Sequence, residues 1–443
     1  MKSQILVGSI SQSCGKTIFS AGLLRLLKRQ NLTGQAFKSG SDFIDTKLLS
    51  YASGKPSYHL DAWVTSKSHI QRLYNKYGDC ADVCITEGHS GLFDGYDRLT
   101  GSSATIAMRL KLPVLLIVNA TGASYSVAAS IFGFKHFYSS IRIVGVVFNQ
   151  VVSSEQHTFL RRCCNDAGVE CLGYIPFDEK LKIPSKHHCY TNKEWNDLNA
   201  TFELAADYIS RYVEVDKLLS ITQRNFPVEY TLPYNEEIDV ESLSLRKKLT
   251  IAVADDPAFG LTYTENLTHL NKFGTILKFS PVFGNDLPKA DIVYLPGGYP
   301  ELFARQLHRR KRMLDDLKTF AEEGGKILAE DGGMVLLGRT LSIREGGTAY
   351  EMAGVFPIDV TMNGPKICSG YRQMNAEHFH LRGYEFHYTT CNHYPEREIV
   401  CKTGNTYDID VNSPLLRYKN VIATYSHLYL GETDFFGLWD NIK

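Results

Sequence analysis

The residue types best suited to chemistry gather near the start of the chain, where Ser13-Cys14-Gly15-Lys16-Thr17 follows the apolar run Ile5-Leu6-Val7 and opens a helical pattern over 18–27. A strand, a glycine-bearing loop and a helix in that order make a cradle for phosphate. Backbone N–H groups and the helix N-terminus face phosphate oxygens, the lysine reaches the terminal phosphates, and the threonine hydroxyl can ligate Mg²⁺. Ser13, Gly15, Lys16 and Thr17 are therefore the candidate nucleotide contacts. The loop departs from a full Walker A pattern at Ile10, where a glycine is usual.

Acids follow at the places where such a loop needs them. A short strand at 36–38 ends in Lys38 and runs into a turn-rich segment carrying Asp42 and Asp45, and the strand 83–87 ends in Glu87. In open α/β sheets ligands bind beyond the carboxyl ends of the strands, so these groups share a rim with the phosphate loop. Asp42 and Glu87 are then candidates for Mg²⁺ and its waters. Either acid alone reads as well as a turn cap or a solvated carboxylate; two beside a phosphate loop favour the metal. Buried, parallel-type strands at 112–120 and 143–149 bring Asn119 and Asn149 to the same rim, each as a base or ribose contact or as a turn former.

The surrounding elements define two domains. Strand and helix alternate through 1–223, closing with a strand near 168–176 and a helical pattern over 195–219. Residues 224–248 contain Pro227, Pro233, Glu236 and Glu237 with little periodicity, and read as a linker. Alternation resumes over 249–443, with strands at 249–253, 276–279, 292–295 and 326–330. The last of these turns sharply at Asp331-Gly332-Gly333 into a helix start, the geometry of a nucleophile elbow with Asp331 as the presented residue. Farther on, His387 and His427 each sit in a strand-like context.

Composition narrows the partners. Lys plus Arg and Asp plus Glu both number 48, without a long block of either sign, which argues against nucleic acid or an anionic membrane as the main partner. No apolar run approaches a membrane span, so a cytoplasmic protein is expected. The 10 cysteines show no paired spacing and read as buried thiols rather than disulfides or metal ligands.

In combination and order, the motifs resemble the cobyrinic acid a,c-diamide synthase family. They are Phe37-Lys38-Ser39-Gly40-Ser41-Asp42-Phe43-Ile44-Asp45, Leu60-Asp61-Ala62-Trp63, Glu87-Gly88 with Gly91-Leu92-Phe93-Asp94-Gly95, and Gly101-Ser102-Ser103-Ala104. The second half adds Ala258-Phe259, Tyr263 with Glu265-Asn266-Leu267, residues 294–301, Gly370-Tyr371-Arg372, Glu385-Phe386-His387-Tyr388 and the segment around His427. The resemblance implies an α/β chain: a P-loop, doubly wound parallel sheet similar to dethiobiotin synthetase, then a class I glutamine amidotransferase-like domain. It implies ATP and Mg²⁺, with Lys16, Thr17, Asp42 and Glu87 at nucleotide and metal positions and Lys38 and Asp45 near the reacting phosphate. The implied reaction amidates the a and c acetates of cobyrinic acid through an acyl phosphate. A nickel or metal-free sirohydrochlorin as substrate, or a non-catalytic tetrapyrrole- or nucleotide-binding relative, are the other readings.

One departure bears directly on the nitrogen donor. Where the family's elbow carries a nucleophilic cysteine, this chain has Asp331, although His427 matches the family's catalytic histidine. A carboxylate attacks an amide poorly and its acyl product is an anhydride, so ammonia is expected to replace glutamine. Lys186 or His187 is either a partner for a tetrapyrrole carboxylate or part of a solvated basic loop, and a homodimer is among the assemblies the sequence allows.

Overall fold

The computed structural model describes residues 1–184, 192–229, 248–284, 286–362, 367–376 and 379–440. They fall into two compact units, the first reaching residue 229 and the second beginning at 248. Lys186, His187 and His188, and most of the expected linker, lie outside the described residues.

Among the described residues the first unit is built on seven parallel strands: β1 (Lys2–Ser9), β2 (Gly34–Ser39), β3 (Tyr58–Leu60), β4 (Val83–Glu87), β5 (Val114–Asn119), β6 (Ile143–Val151) and β7 (Cys171–Pro176). Their order is β3-β2-β4-β1-β5-β6-β7. β1 is central, with Ile5, Leu6 and Val7 fully buried, as expected of a strand covered on both faces. Strand order reverses around it, so the loops leaving β1, β4 and β5 open a crevice at the middle of the sheet. The sequence placed its candidate groups on this rim.

Two local expectations change. The helical pattern over 195–219 is two helices, Asn192–Tyr212 and Val215–Ile221, because the Glu214 N–H turns aside to donate to Leu172 O of β7 at 2.8 Å. The linker expected from 224 begins instead as part of the first unit. Gln223–Arg224 (β8) pairs antiparallel with Lys2 and Ser3, and Asn75 exchanges two 2.8 Å hydrogen bonds with the backbone of Val228. These backbone groups are buried, so they need partners and take them from the first unit.

The second unit carries a sheet ordered Gly274–Phe279, Leu249–Ala254, Ile292–Leu295, Lys326–Glu330, Val421–Thr424, Leu415–Tyr418 and Ile399–Cys401. The first five are parallel and the last two antiparallel. Smaller antiparallel sheets flank it. In one, Phe379–His387 lies between Cys368–Ala376 and Ser426–Leu428, pairing Tyr384 with His427. No described helix is long and apolar enough to cross a membrane. Five of the described cysteines are buried.

Asn75→Ala leaves the Val228 N–H and C=O without their side-chain partner. It is expected to cost about 2 kcal/mol in denaturant unfolding of the first unit and to expose the stretch after Arg224 to limited proteolysis. Unchanged stability and cleavage would show that this docking is incidental.

Candidate active site

The phosphate loop is set by two unusual backbone conformations, Ser13 at φ 58° and Gly15 at φ 96°, the latter at the N-terminus of α1 (Lys16–Arg29). Gly15 is also required by space. A Cβ there would stand 1.9 Å from Asn149 Nδ2. Asn149, expected at a base or ribose, donates this amide to Cys14 O at 3.0 Å and braces the loop from β6. Asn119 accepts from Thr121 N at 2.8 Å, closing the turn after β5.

Lys16 and Thr17 point into the crevice. Lys16 Nζ donates to Ser9 Oγ at 2.7 Å and to Ser90 O at 2.6 Å, so the loops after β1 and β4 hold its ammonium ready. Burial, then the nearby Lys38 charge, lowers the Lys16 pKa. An incoming polyphosphate would add negative charge directly beside this ammonium, which the Glu87 and Asp45 charges only partly balance. Ser9 and Ser90 were missed by sequence reasoning, because a serine at a strand end carries no signal beyond turn formation.

Beneath the lysine lies a buried ionic cluster. Lys38 Nζ donates to Asp45 Oδ2 and Glu87 Oε1, both at 2.7 Å, and to Gly88 O at 3.2 Å. Thr17 Oγ1 donates to the same Glu87 oxygen at 3.0 Å. Burial alone lowers the Lys38 pKa, but the Asp45 and Glu87 charges outweigh it and hold the ammonium protonated. Burial likewise raises Glu87, with Lys38 offsetting part of the effect. Asp42 caps α2 (Phe43–Ser53), accepting from Asp45 N at 3.0 Å, and so orients the acid that holds Lys38. Ser41 Oγ donates to Asp61 Oδ2 at 2.7 Å, tying the Leu60-Asp61-Ala62-Trp63 motif to the same loop.

These residues fit a hydrated divalent cation. Glu87 Oε2 is buried without a hydrogen-bond partner among the described residues, while its other oxygen receives the Thr17 hydroxyl. No described cluster of three or more His, Cys, Asp and Glu could form an all-protein cage. Mg²⁺ does not need one, since it keeps several waters and takes one or two protein oxygens besides phosphate.

The second unit presents Asp331 as the elbow residue, at φ 44° and ψ −109°, between Lys326–Glu330 and the helix Gly332–Leu337. Asp331 N donates to Thr424 O at 2.8 Å, and His427 follows three residues along the chain. His427 Nε2 lies 3.6 Å from Asp331 Oδ2, and its Nδ1 is 3.1 Å from Leu261 O. The pair predicted from the elbow and the distant histidine is thus assembled. Glycine is required on the facing loop and the helix: a Cβ on Gly297 would reach within 2.0 Å of His427 Cε1, and one on Gly333 within 2.1 Å of Leu295 O.

The same geometry shows why an aspartate here differs from a thiol. Its Oδ2 accepts the Gly298 N–H at 3.0 Å, from the facing loop that follows Ile292–Leu295. The side chain itself occupies that donor. Burial, with the charges of Glu301 and Glu385, holds the Asp331 carboxyl well above its ordinary range, which the Gly298 and Gly332 N–H groups only partly oppose. Neighbouring Glu330 accepts from Tyr294 OH at 2.8 Å and Leu428 N at 3.2 Å, and burial pushes it up to about 8. Arg372 and Glu385, from two separate sequence motifs, form a buried ion pair that His387 and Ser413 extend at 2.9 and 2.8 Å.

Comparison with known proteins matches residues 5–189 to the CobQ/CobB/MinD/ParA nucleotide binding domain and 250–435 to the CobB/CobQ-like glutamine amidotransferase domain. A cobyrinate a,c-diamide synthase of Saccharolobus solfataricus is 34% identical, over 96% of this chain and 97% of that protein. Those of Picrophilus torridus and Listeria innocua are 31% and 32% identical, each over 96% of this chain and 95% and 96% of their own lengths.

Two outcomes follow from the geometry. Gly15→Ala forces both the clash and a strained φ, and is expected to weaken nucleotide binding about 10- to 100-fold in a titration with a fluorescent ATP analogue; unchanged affinity would contradict the assigned loop. Glu330 releases its proton near pH 8 when folded and near the ordinary 4.5 when unfolded. Its contribution to stability is therefore full below 4.5 and declines as pH rises to 8. Glu330→Gln should flatten the fall in Tm between pH 5 and 8, with Asp331 keeping part of the slope, whereas an unaltered profile would show that Glu330 does not titrate there. With both domain types in the same order and likeness over nearly the full length of these relatives, the chain belongs to the cobyrinate a,c-diamide synthase family of ligase-type amidotransferases.

Proposed function

We propose that this chain amidates the a and c acetates of cobyrinic acid at the expense of ATP, using ammonia rather than glutamine as nitrogen donor. The observation that carries the reading is the contrast between its two sites. Thr17, Lys38 and Glu87 are joined in one bonded set with Lys16 close by, while the Asp331 carboxyl occupies the Gly298 N–H, the donor that a glutamine oxyanion would need. The proposed division of labour follows the expected domains, with 1–223 as synthetase and 249–443 as the amidotransferase-like part.

A carboxylate resists amines because its leaving group would be oxide. In the proposed route an acetate oxygen attacks the terminal phosphorus of ATP and ADP departs. Ammonia then adds to the acyl carbon and inorganic phosphate leaves, giving the amide after loss of one proton. Lys16 neutralises charge growing on the phosphate oxygens. Lys38, fixed as a cation, sets the orientation and charge of Asp45 and Glu87. Glu87 and Thr17 are the groups that would hold Mg²⁺, which when bound screens the phosphates and withdraws charge from the leaving group. His427 keeps its place without a nucleophile to serve.

Hydroxylamine added to enzyme, ATP and cobyrinic acid should trap a hydroxamate, with ADP formed only when the tetrapyrrole is present. Absence of both hydroxamate and ADP with cobyrinic acid and with sirohydrochlorins would end the synthetase reading. Asp331→Cys restores a thiol at the elbow and frees the Gly298 N–H. It should raise glutamine hydrolysis by on the order of tenfold or more, and a wild-type rate already equal to that variant's would contradict the role given to Asp331.

A further inference from the structure

His59, in the short strand β3, is a buried polar side chain to which neither the motifs nor the reaction described above gives a role. β2 and β3 run parallel with Lys38 opposite His59, so the two side chains leave the sheet on one face, the face that meets the first turn of α2. His59 Nε2 lies 2.9 Å from Thr46 Oγ1 and 3.3 Å from Asp42 O, and Thr46 Oγ1 itself donates to Asp42 O at 2.7 Å. With the threonine proton engaged by that carbonyl, both partners of Nε2 can only accept. The ring therefore carries its proton on Nε2 and donates to each, while its face packs on Phe43 with centroids 5.3 Å apart. Burial lowers the His59 pKa to about 4, against the opposing effect of the Asp42 carbonyl, so the donor is a neutral ring. A neutral donor suits the place, since a second cation opposite Lys38 would repel the first.

The turn that His59 holds carries the acids of the phosphate site. Asp42 Oδ1 accepts Asp45 N at 3.0 Å, Asp45 Oδ2 accepts from Lys38 Nζ at 2.7 Å, and Lys38 Nζ also donates to Glu87 Oε1 at 2.7 Å. Glu87 Oε2 is left buried without a hydrogen-bond partner among the described residues. That oxygen stays open only while Asp45 answers the ammonium. If α2 turned Asp45 away, a buried cation would have one carboxylate in place of two and would draw on both Glu87 oxygens.

We infer that His59 is a positioning residue for the cation seat: by fixing Asp42 O and Thr46 it keeps Asp45 on Lys38, and so keeps one Glu87 oxygen open to a divalent metal. The inference rests on the place that the proposed function gives Mg²⁺, at Glu87 and Thr17. None of these hydrogen bonds runs through Gly15 or Lys16, so nucleotide binding in the absence of metal should not depend on His59.

The test reads the gain in affinity that Mn²⁺ confers on a fluorescent ATP analogue, measured against the same titration in EDTA. His59→Phe keeps an aromatic ring and loses the N–H; it should cut that gain by about tenfold while leaving the affinity in EDTA at the wild-type value. His59→Gln returns an uncharged N–H donor at a reach close to that of Nε2 and should recover the gain. A full gain in His59→Phe would overturn the inference, and so would a loss that His59→Gln shares, since the ring rather than its N–H would then be what matters. Equal weakening in EDTA and in Mn²⁺ would also overturn it, as the mark of a disturbed fold. Glu87→Gln separates the two levels of the argument and should abolish the Mn²⁺ gain. A wild type with no gain, or a gain that survives Glu87→Gln, overturns the metal position and the inference with it. With the gain lost in Glu87→Gln and unchanged in His59→Phe, the metal position stands and only the role of His59 falls.

Discussion

An ammonium buried between two carboxylates is the constraint around which the first unit's site is arranged. Lys38 has almost no access to water, so its charge is tolerable only because Asp45 and Glu87 each lie 2.7 Å away. That requirement fixes the ends of β2 and β4 and the first turn of α2 in one geometry. Glu87 then receives the Thr17 hydroxyl, which couples the phosphate loop to the same cluster. Replacing Lys38 by an apolar residue would strand two carboxylates in the interior, so the cluster stands or falls as a unit.

The second unit depends on a different economy of charge. Its elbow is intact: the strained Asp331 backbone, the glycines that permit close approach, and His427 across from them. The side chain it presents is a carboxyl. A buried carboxyl with Glu301 and Glu385 nearby favours its protonated form, and such a group is neither a nucleophile nor an open receptor for an amide oxyanion. The Asp331 carboxyl accepts the Gly298 N–H of the facing loop, and this supports the proposal that the glutaminase-like site has lost its chemistry while keeping its fold.

Much of this was legible in the chain. The strands ending at Glu87 and Glu330 were readable because apolar runs stop abruptly at an acid, and the elbow because two glycines follow it. Less legible were interactions whose partners lie far apart in sequence. Asn149 as a brace for Cys14, Ser90 as a partner for Lys16, and the docking of Val228 on Asn75 are 135, 74 and 153 residues apart. No local pattern records them. The break after Tyr212 was hidden for a related reason, since periodicity continues while the Glu214 N–H is taken by a strand. Occupation of the Gly298 N–H by Asp331 was likewise beyond sequence reasoning, which had only the weak nucleophilicity of a carboxylate to argue from.

The proposed function pairs a working synthetase with a glutaminase-like site closed by its own aspartate. The most direct measurement is product mass after incubation of the wild-type chain with cobyrinic acid, ATP and Mg²⁺, supplied with ammonium, with glutamine or with neither. The a,c-diamide is expected with ammonium, and no amide with glutamine alone. Efficient amidation from glutamine as the sole nitrogen source would contradict it.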